Sequence, residues 1–232
     1  MTENIELRFV VVTDGHWGQE AEIDGETRTY QEVHEDALNR IEQIHAEREI
    51  DFVVNNGDIV HDDETLHSEV KANFFDELPT GVDWYVVFGN HDWATDDEWE
   101  DVYNQPKQHT FEYGEYGFII TETGEPRTDD WYCADADWLE NQIDGFSDKE
   151  DVFVFNHIAP DDDWDYTGVN CPDVRSQFQR DEVKAVLLGH NHEENTVQTH
   201  DGVQYAYASR VGGYEPTQGA IDLGLRIVDI DE

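Results

Sequence analysis

The stretch Gly89-Asn90-His91-Asp92 follows an apolar run, Val82-Asp83-Trp84-Tyr85-Val86-Val87-Phe88. An apolar run of this length that ends at a glycine predicts a buried strand followed by a tight turn. The three residues after the glycine carry an amide oxygen, an imidazole and a carboxylate, which are groups that bind metals or exchange protons. Taken alone, the stretch is most simply a polar turn, so its meaning depends on the other strands.

Four further apolar runs also end in Asp, His or Asn. They are residues 7–13 before Asp14-Gly15-His16, residues 50–55 before Gly57-Asp58, residues 151–155 before His157, and residues 183–188 before Gly189-His190-Asn191-His192. Strands that alternate with helices form a largely parallel α/β sheet, whose ligands bind at the carboxyl ends of the strands. Five weak signals therefore converge on one edge of a predicted sheet.

The remaining segments predict one α/β domain over residues 1–232, with no internal repeat or linker. Apolar residues three to four positions apart predict a helix at 30–49, and helices are also predicted at 64–78, 135–143 and 173–179. Residues 109–113 with 116–122, and residues 196–210, predict hairpins, and residues 224–230 predict the last strand. Residues 18–29 are expected to form a loop, and residues 93–103 a loop or short helix over the site.

The charge of the chain is extreme. Asp and Glu number 56 against 13 Lys and Arg, which gives a net charge of -43 over 232 residues. The acid is spread evenly, which favours adaptation to a salt-rich cytosol, as in a halophilic archaeon, and predicts poor folding in low salt. A negative chain does not attract nucleic acid over long range, so a long nucleic acid is an unlikely substrate.

The cysteines and the termini predict a cytoplasmic protein. Cys133 and Cys171 could pair once, but unpaired thiols are the expected state in a cytosol. Residues 1–4 have neither a basic nor an apolar leader, and no run approaches 18 apolar residues. The sequence does not indicate an oligomeric state.

The residues at the strand ends offer oxygen and imidazole ligands without a thiolate. Such a set suits Mn, Fe, Zn, Co or Ni and argues against a structural zinc site. Two metals require a shared carboxylate, and Asp58 is the natural bridge. We expect His34 and His45 to lie on the surface of the first helix, His61 to be a solvated loop residue, and the acidic run 161–165 to be a solvated loop.

Together these five motifs resemble those of the calcineurin-like metallophosphoesterases, in the same order and over residues 14–192. The resemblance implies two mixed β-sheets packed as a sandwich and flanked by helices, with two divalent metal ions, of which Mn is the first candidate. It implies that Asp14, His16 and His192 hold one metal, that Asn90, His157 and His190 hold the other, and that Asp58 bridges them. It makes His91 the catalytic imidazole, with Asp92 behind it to orient the ring, where the family often has Glu.

The implied reaction is hydrolysis of a small phosphoester. Two cations about 3.5–4 Å apart bind the phosphate oxygens and generate a metal-bound hydroxide that attacks phosphorus in line. The chain is as small as the compact members of the family, including the class III cyclic-nucleotide phosphodiesterases, which slightly favours a phosphodiester. A phosphomonoesterase and a non-catalytic scaffold of the same fold are the alternatives.

Four residues near the motifs have two readings each. Trp17, Trp93 and Trp164 follow motif turns, where they could stack on a base or simply pack a lid. Arg210 follows the last predicted hairpin, where it could bind a phosphate or pair with one of many carboxylates.

Overall fold

The computed structural model describes residues 5–23, 26–125, 127, 130–165, 167–211 and 224–231. Residues 1–4, which entered the expectation about a leader, lie outside this part. The strands are β1 Ile5–Val12, β2 Glu20–Ile23, β3 Glu26–Thr29, β4 Phe52–Asn55, β5 Asp83–Val86, β6 His109–Tyr113, β7 Tyr116–Ile120, β8 Asp151–Phe155, β9 Val183–Leu188, β10 Val197–His200, β11 Val203–Tyr207 and β12 Arg226–Asp231. The α-helices are α1 Tyr30–Glu47, α2 His67–Asn73, α3 Asp96–Tyr103, α4 Ala136–Gly145 and α5 Pro172–Phe178.

The strands form two mixed sheets and a small hairpin. The first sheet has the order β12-β1-β4-β5, and the second has the order β10-β11-β9-β8-β7-β6. Strands β1, β4 and β5 are parallel to one another, and so are β7, β8, β9 and β11. Because the motif-bearing strands are parallel within each sheet, their carboxyl ends gather at one edge, as the sequence predicts.

Apolar side chains separate the molecule into four layers. Phe9 and Phe52 of the first sheet stack 4.7 Å apart and meet Phe118 and Phe155 of the second sheet in the middle. The outer face of the first sheet packs against α1, α2 and α3, and that of the second packs against α4 and α5. The layers confirm the predicted sandwich of two mixed sheets flanked by helices.

The predicted helix at 64–78 is interrupted in the structure. It consists of a 3-10 turn at Glu64–Leu66, then α2, then a second 3-10 turn at Phe75–Glu77. Phe74 leaves helical geometry, with φ -124° and ψ -63°, and both Phe74 and Phe75 are buried. Adjacent residues of a regular helix point about 100° apart, so the break lets both rings enter the core. The expected loop at 18–29 also differs, because it contains the β2–β3 hairpin.

Cys133 and Cys171 form a disulfide, so the expectation of unpaired thiols was wrong. Cys133 lies just before α4, and Cys171 caps the start of α5. These two helices pack side by side on the second sheet, which brings the Cα atoms to 5.5 Å, within the range that a disulfide spans.

The histidines of α1 differ from the expectation as well. His34 is buried, with its ring against Trp17 and Phe74, whereas His45 is half-buried and accepts a hydrogen bond from the amide of Ile50. In the described part of the chain, the helices are all too short or too polar to cross a membrane.

Candidate metal centre

The turns after β1 and β4 are bonded to each other. The amides of Asp14 and His16 donate to the carbonyls of Gly57 and Asp58, both at 2.9 Å. Asp14, His16, Asp58 and His190 all have positive φ, between 41° and 63°. This region is uncommon for residues other than glycine, and such strain concentrates at functional sites. The fold therefore holds these side chains in a fixed arrangement.

Two glycines allow the turns to approach closely. A Cβ at Gly89 would meet the carboxylate and the amide of Asp58, and a Cβ at Gly189 would meet the hydroxyl of Thr13. Any larger residue at either position would push the turn after β5 or β9 away from the centre. The glycines of the motifs thus let the ligands of different strands meet.

The first group of candidate ligands contains Asp14, His16, Asp58 and His192. Their ligand atoms all lie within 4.8 Å of one another. His192 Nε2 lies 3.2 Å from Asp14 Oδ1 and 3.1 Å from His16 Nε2. The lone pairs of several side chains therefore converge on one small space, as in a metal site.

The second group contains Asp58, His157 and His190, so Asp58 belongs to both groups. His157 Nε2 lies 3.3 Å from Asp58 Oδ2. Asn90, the remaining predicted ligand, is buried, and the next amide, that of His91, donates to Asp58 Oδ1 at 2.9 Å. The structure thus brings six of the seven predicted ligands into two groups that share Asp58, and it places Asn90 next in sequence to an amide bonded to Asp58.

The polar atoms of the centre fit metal ions. Four buried atoms make no hydrogen bond within the described residues, namely Asp14 Oδ1, Asp58 Oδ2, Asn90 Oδ1 and His157 Nε2. In three of these side chains, the protein holds the other polar atom. Asp14 Oδ2 accepts from Thr13 Oγ1, Asp58 Oδ1 accepts from His91 N, and His157 Nδ1 donates to Asn56 O.

An unpartnered buried polar atom costs about 1–3 kcal/mol, so such a set needs a further partner. One atom held by the protein and one directed inward is the pattern of metal ligands with outer hydrogen bonds.

The protonation states of Asp14, His16 and His190 also suit metal binding. Burial lowers the pKa of His16 to about 3 and the pKa of His190 to about 4, so both rings are neutral at neutral pH. Burial opposes ionisation of Asp14, but the close contact with His192 and the charge of His157 lower its pKa to about 2. Neutral imidazoles and ionised carboxylates are the forms that bind metals. Burial also opposes the charge of His157, but the charge and close contact of Asp58 outweigh it and raise the pKa of His157 to about 9, so this ring must release a proton to bind a metal.

His91 lies at the exposed side of the centre with two partners. Its Nδ1 lies 2.7 Å from Asp62 Oδ1, and its ring stacks on His61 at 4.9 Å. His61 Nδ1 is also 3.2 Å from Nδ1 of His16. The expectation of a solvated His61 therefore misses a contact with both a ligand and the predicted catalytic ring.

Asp92 does not lie behind the ring of His91, which corrects the expectation. Its carboxylate is fully buried and accepts three backbone amides, from Ile59 at 2.7 Å, Val60 at 3.1 Å and Gly89 at 2.8 Å. The short side chain folds back onto its own turn and ties it to the turn after β4. Asp62 orients His91 instead, and the signal for it in the sequence was a second carboxylate four residues after Asp58.

The three tryptophans named from the sequence are less exposed than a fourth, Trp131. Trp17 is buried against His34, and Trp164 stacks on His200 at 4.0 Å, while Trp93 is half-buried. Trp131, which the sequence analysis missed, is 40% exposed, and its ring lies 4.9 Å from that of His190.

Arg210 belongs to the surroundings of the first group of ligands. Its guanidinium lies 4.5 Å over the ring of Tyr30, and it donates to Gln19 Oε1 at 3.3 Å. Among smaller effects, its charge contributes to the lowered pKa of His16.

Comparisons with known proteins agree with this geometry. A family model described as calcineurin-like phosphoesterase matches residues 7–194. A dimetal phosphatase from Danio rerio aligns with a TM-score of 0.70 and 16% identity, over 89% of this chain and 88% of its own. A search of curated proteins finds no match.

Two larger structures share the fold. They are the 5'-nucleotidase precursor from Thermus thermophilus, at 12% identity, and the NAD nucleotidase from Haemophilus influenzae, at 11% identity, each with a TM-score of 0.54 over 88% of this chain. The chain spans 49% and 45% of their lengths, about half in each case.

Proposed function

This chain belongs to the calcineurin-like phosphoesterase family, a family of metal-dependent phosphoester hydrolases, and we propose that it cleaves small phosphoesters at the centre around Asp58. The observation that carries the proposal is the set of four buried atoms, on Asp14, Asp58, Asn90 and His157, that make no hydrogen bond within the described residues, although Asp58 Oδ2 and His157 Nε2 lie 3.3 Å apart. A scaffold that had lost its catalysis would not need to keep these atoms without hydrogen bonds at a cost in stability.

We assign the predicted ligands to two sites. Asp14, His16 and His192 hold one ion, Asn90, His157 and His190 hold the other, and Asp58 bridges them. When bound, two divalent ions, for which we propose Mn²⁺, neutralise charge on the phosphoryl group and activate water. The ionised carboxylate of Asp14 and the neutral rings of His16 and His190 suit this role at neutral pH, whereas His157, whose pKa is raised to about 9 beside Asp58, releases a proton on binding.

His91 is proposed as the group that handles the proton of the leaving alcohol. Asp62 accepts from its Nδ1, which fixes the ring orientation, and we assign the proton transfer to Nε2. In that position, Nε2 donates to the leaving oxygen or to a phosphoryl oxygen. A positioned general acid of this kind contributes about 10²–10⁴-fold to the rate.

Phosphodiesters are the proposed preference over monoesters. The support is the small size of the chain, which resembles the compact phosphodiesterases of the family. Phosphomonoesters are the alternative, and the names of the similar structures, a dimetal phosphatase and two nucleotidases, favour it. The net charge of -43 supports a small substrate rather than a long nucleic acid.

We also propose that the protein works in a salt-rich cellular compartment. The excess of acid supports a salt-rich cytoplasm. The disulfide between Cys133 and Cys171 weighs against a reducing cytosol, in which thiols are kept reduced. Thiol trapping in freshly lysed cells of the source organism decides between these observations.

The test uses bis-p-nitrophenyl phosphate and p-nitrophenyl phosphate in molar KCl with added Mn²⁺. We expect the diester to be cleaved and Asp58→Asn to abolish cleavage together with metal binding, as measured by elemental analysis. Cleavage of the monoester alone would replace the diester preference with a phosphatase. No cleavage of either substrate by protein that holds both metals would favour the scaffold alternative.

A further inference from the structure

Trp131 is an exposed aromatic residue in direct contact with a predicted metal ligand. Its side chain is 40% exposed, and its ring meets that of His190 edge-on, 4.9 Å between centroids and 62° between planes. The ring of His190 in turn lies 5.4 Å from that of His157. The exposed indole is therefore in direct contact with one member of the second group of ligands, and one ring away from another, His157.

The described residues of the segment that carries Trp131, namely 124, 125, 127 and 130–133, are attached beside the centre. Trp131 pairs with Gly124 across an antiparallel bridge, and the amide of Tyr132 donates to the carbonyl of Thr123 at 2.9 Å. A Cβ at Gly124 would meet the carbonyl of Gly89 and the Cα of Asn90. The stem of this segment thus rests directly on the turn that carries Asn90 and His91.

Two further attachments hold the same segment. Cys133, two residues after Trp131, is tied to Cys171 at the start of α5. Arg127 donates to Glu64 at 2.7 Å and to Glu98 at 2.6 Å. Glu64 precedes α2 and Glu98 lies in α3, two helices that pack on the first sheet. A tryptophan held in place by backbone bonds, a disulfide and ion pairs keeps its exposed face at a fixed position beside the metal centre.

We propose that Trp131 is a binding platform for a planar aromatic group of the substrate. A phosphoester whose phosphate lies at the metal centre extends its organic group past His190, where the indole offers a flat, apolar face. Stacking needs no charge on the ligand, which suits a protein whose surface would repel further negative groups. The substrate class is therefore a phosphoester of an aryl alcohol or of a nucleoside. This inference rests on the proposed function for the position of the phosphate.

Stacking of a base on an aromatic side chain contributes about 5- to 150-fold in affinity. The test compares two ligands that differ in planarity and that the enzyme cannot hydrolyse, phenylphosphonate and cyclohexylphosphonate. Calorimetric titration of the Mn²⁺-loaded protein in molar KCl measures both. We expect phenylphosphonate to bind about tenfold more tightly, Trp131→Ala to abolish this ratio and Trp131→Phe to keep most of it. Trp164→Ala, which removes a tryptophan packed on His200, is the matched control and should keep the ratio.

Equal binding of the two phosphonates by the wild type, a ratio that survives in Trp131→Ala, or no binding of either ligand overturns the platform. A ratio that depends on Trp131 supports it even if neither nitrophenyl ester is cleaved, in which case only the proposed function fails. Inhibition constants of AMP and ribose 5-phosphate in initial-rate assays then identify the source of the ring. If AMP inhibits more strongly than ribose 5-phosphate and Trp131→Ala removes the difference, the substrate is a nucleoside ester. If the two inhibit equally while phenylphosphonate still binds more tightly than cyclohexylphosphonate, the substrate is an aryl ester.

Discussion

The inner part of the metal centre and its rim are built in different ways. The inner part consists of the predicted ligands, and its central side chains, Asp14, Asp58 and His157, are completely buried. The rim consists of His61, Asp62, His91 and Trp131, whose side chains are about a quarter to two-fifths exposed. Under the proposed function, the difference assigns metal binding to the strand ends, and proton transfer and the choice of substrate to the loops around them.

The largest effects should separate the inner part from the rim by metal content. His157→Ala removes an inner ligand, so we expect loss of bound metal and of all activity. His91→Ala removes a rim residue, so we expect both metals to stay while turnover falls about 10²–10⁴-fold. Elemental analysis and initial rates on the better nitrophenyl ester measure the two properties. Loss of both metals from His91→Ala would make His91 a ligand and remove the distinction.

The two carboxylates near His91 give the next test. Asp62 contacts the ring, so Asp62→Asn should lower kcat by about 10–100-fold, the range observed when carboxylate partners of site histidines are removed, with little change in stability. The carboxylate of Asp92 accepts hydrogen bonds from three backbone N–H groups. In Asp92→Asn, the side-chain NH₂ group would face a backbone N–H group, so we expect a loss of about 1–3 kcal/mol of unfolding free energy.

Rates and urea unfolding of the two Asn variants, compared in the same buffer, show whether the roles are separate. If Asp92→Asn is as stable as the wild type but slow, the original assignment from the sequence is restored. If Asp62→Asn is unstable rather than slow, Asp62 is a structural residue of the rim.

The inner part was readable from the sequence because short local rules place it. An apolar run followed by Asp, His or Asn, repeated five times, is enough to predict parallel strands whose ends meet. His157 and His190 come from strands 33 positions apart in the sequence, yet the parallel pairing of β8 and β9 brings them together. No information about loops was needed for this step.

Apart from His91, the rim could not be predicted from the sequence, because its contacts join loops that are far apart in the chain. Trp131 reaches His190 across about 60 residues of sequence, and Arg127, on the same segment, reaches Glu64 and Glu98. The sequence around Asp92 does not show that the backbone N–H groups of residues 59 and 60 donate hydrogen bonds to its carboxylate. The disulfide was missed for the same reason, since the packing of α4 beside α5 decides it.

His34 provides the smallest effect and a control for burial without metal binding. It lies beside the turn of Asp14 and His16, where a Cβ at Gly15 would meet its ring, and its Nδ1 donates to the carbonyl of Tyr30. Burial lowers its pKa to about 3, against about 6.5 in an unfolded chain. Between these values the unfolded chain binds a proton that the native protein does not bind, so stability falls as the pH drops below 6.5.

At pH 5.5 this loss amounts to about 1.4 kcal/mol. Urea unfolding at pH 7.5 and pH 5.5 should therefore show that His34→Gln loses about 1.4 kcal/mol less than the wild type on acidification. Equal losses in His34→Gln and the wild type would mean that His34 takes up its proton in the native state, and burial beside the centre would then not suffice to keep an imidazole neutral. The neutral state of His16 and His190 would in that case depend on bound metal rather than on the fold.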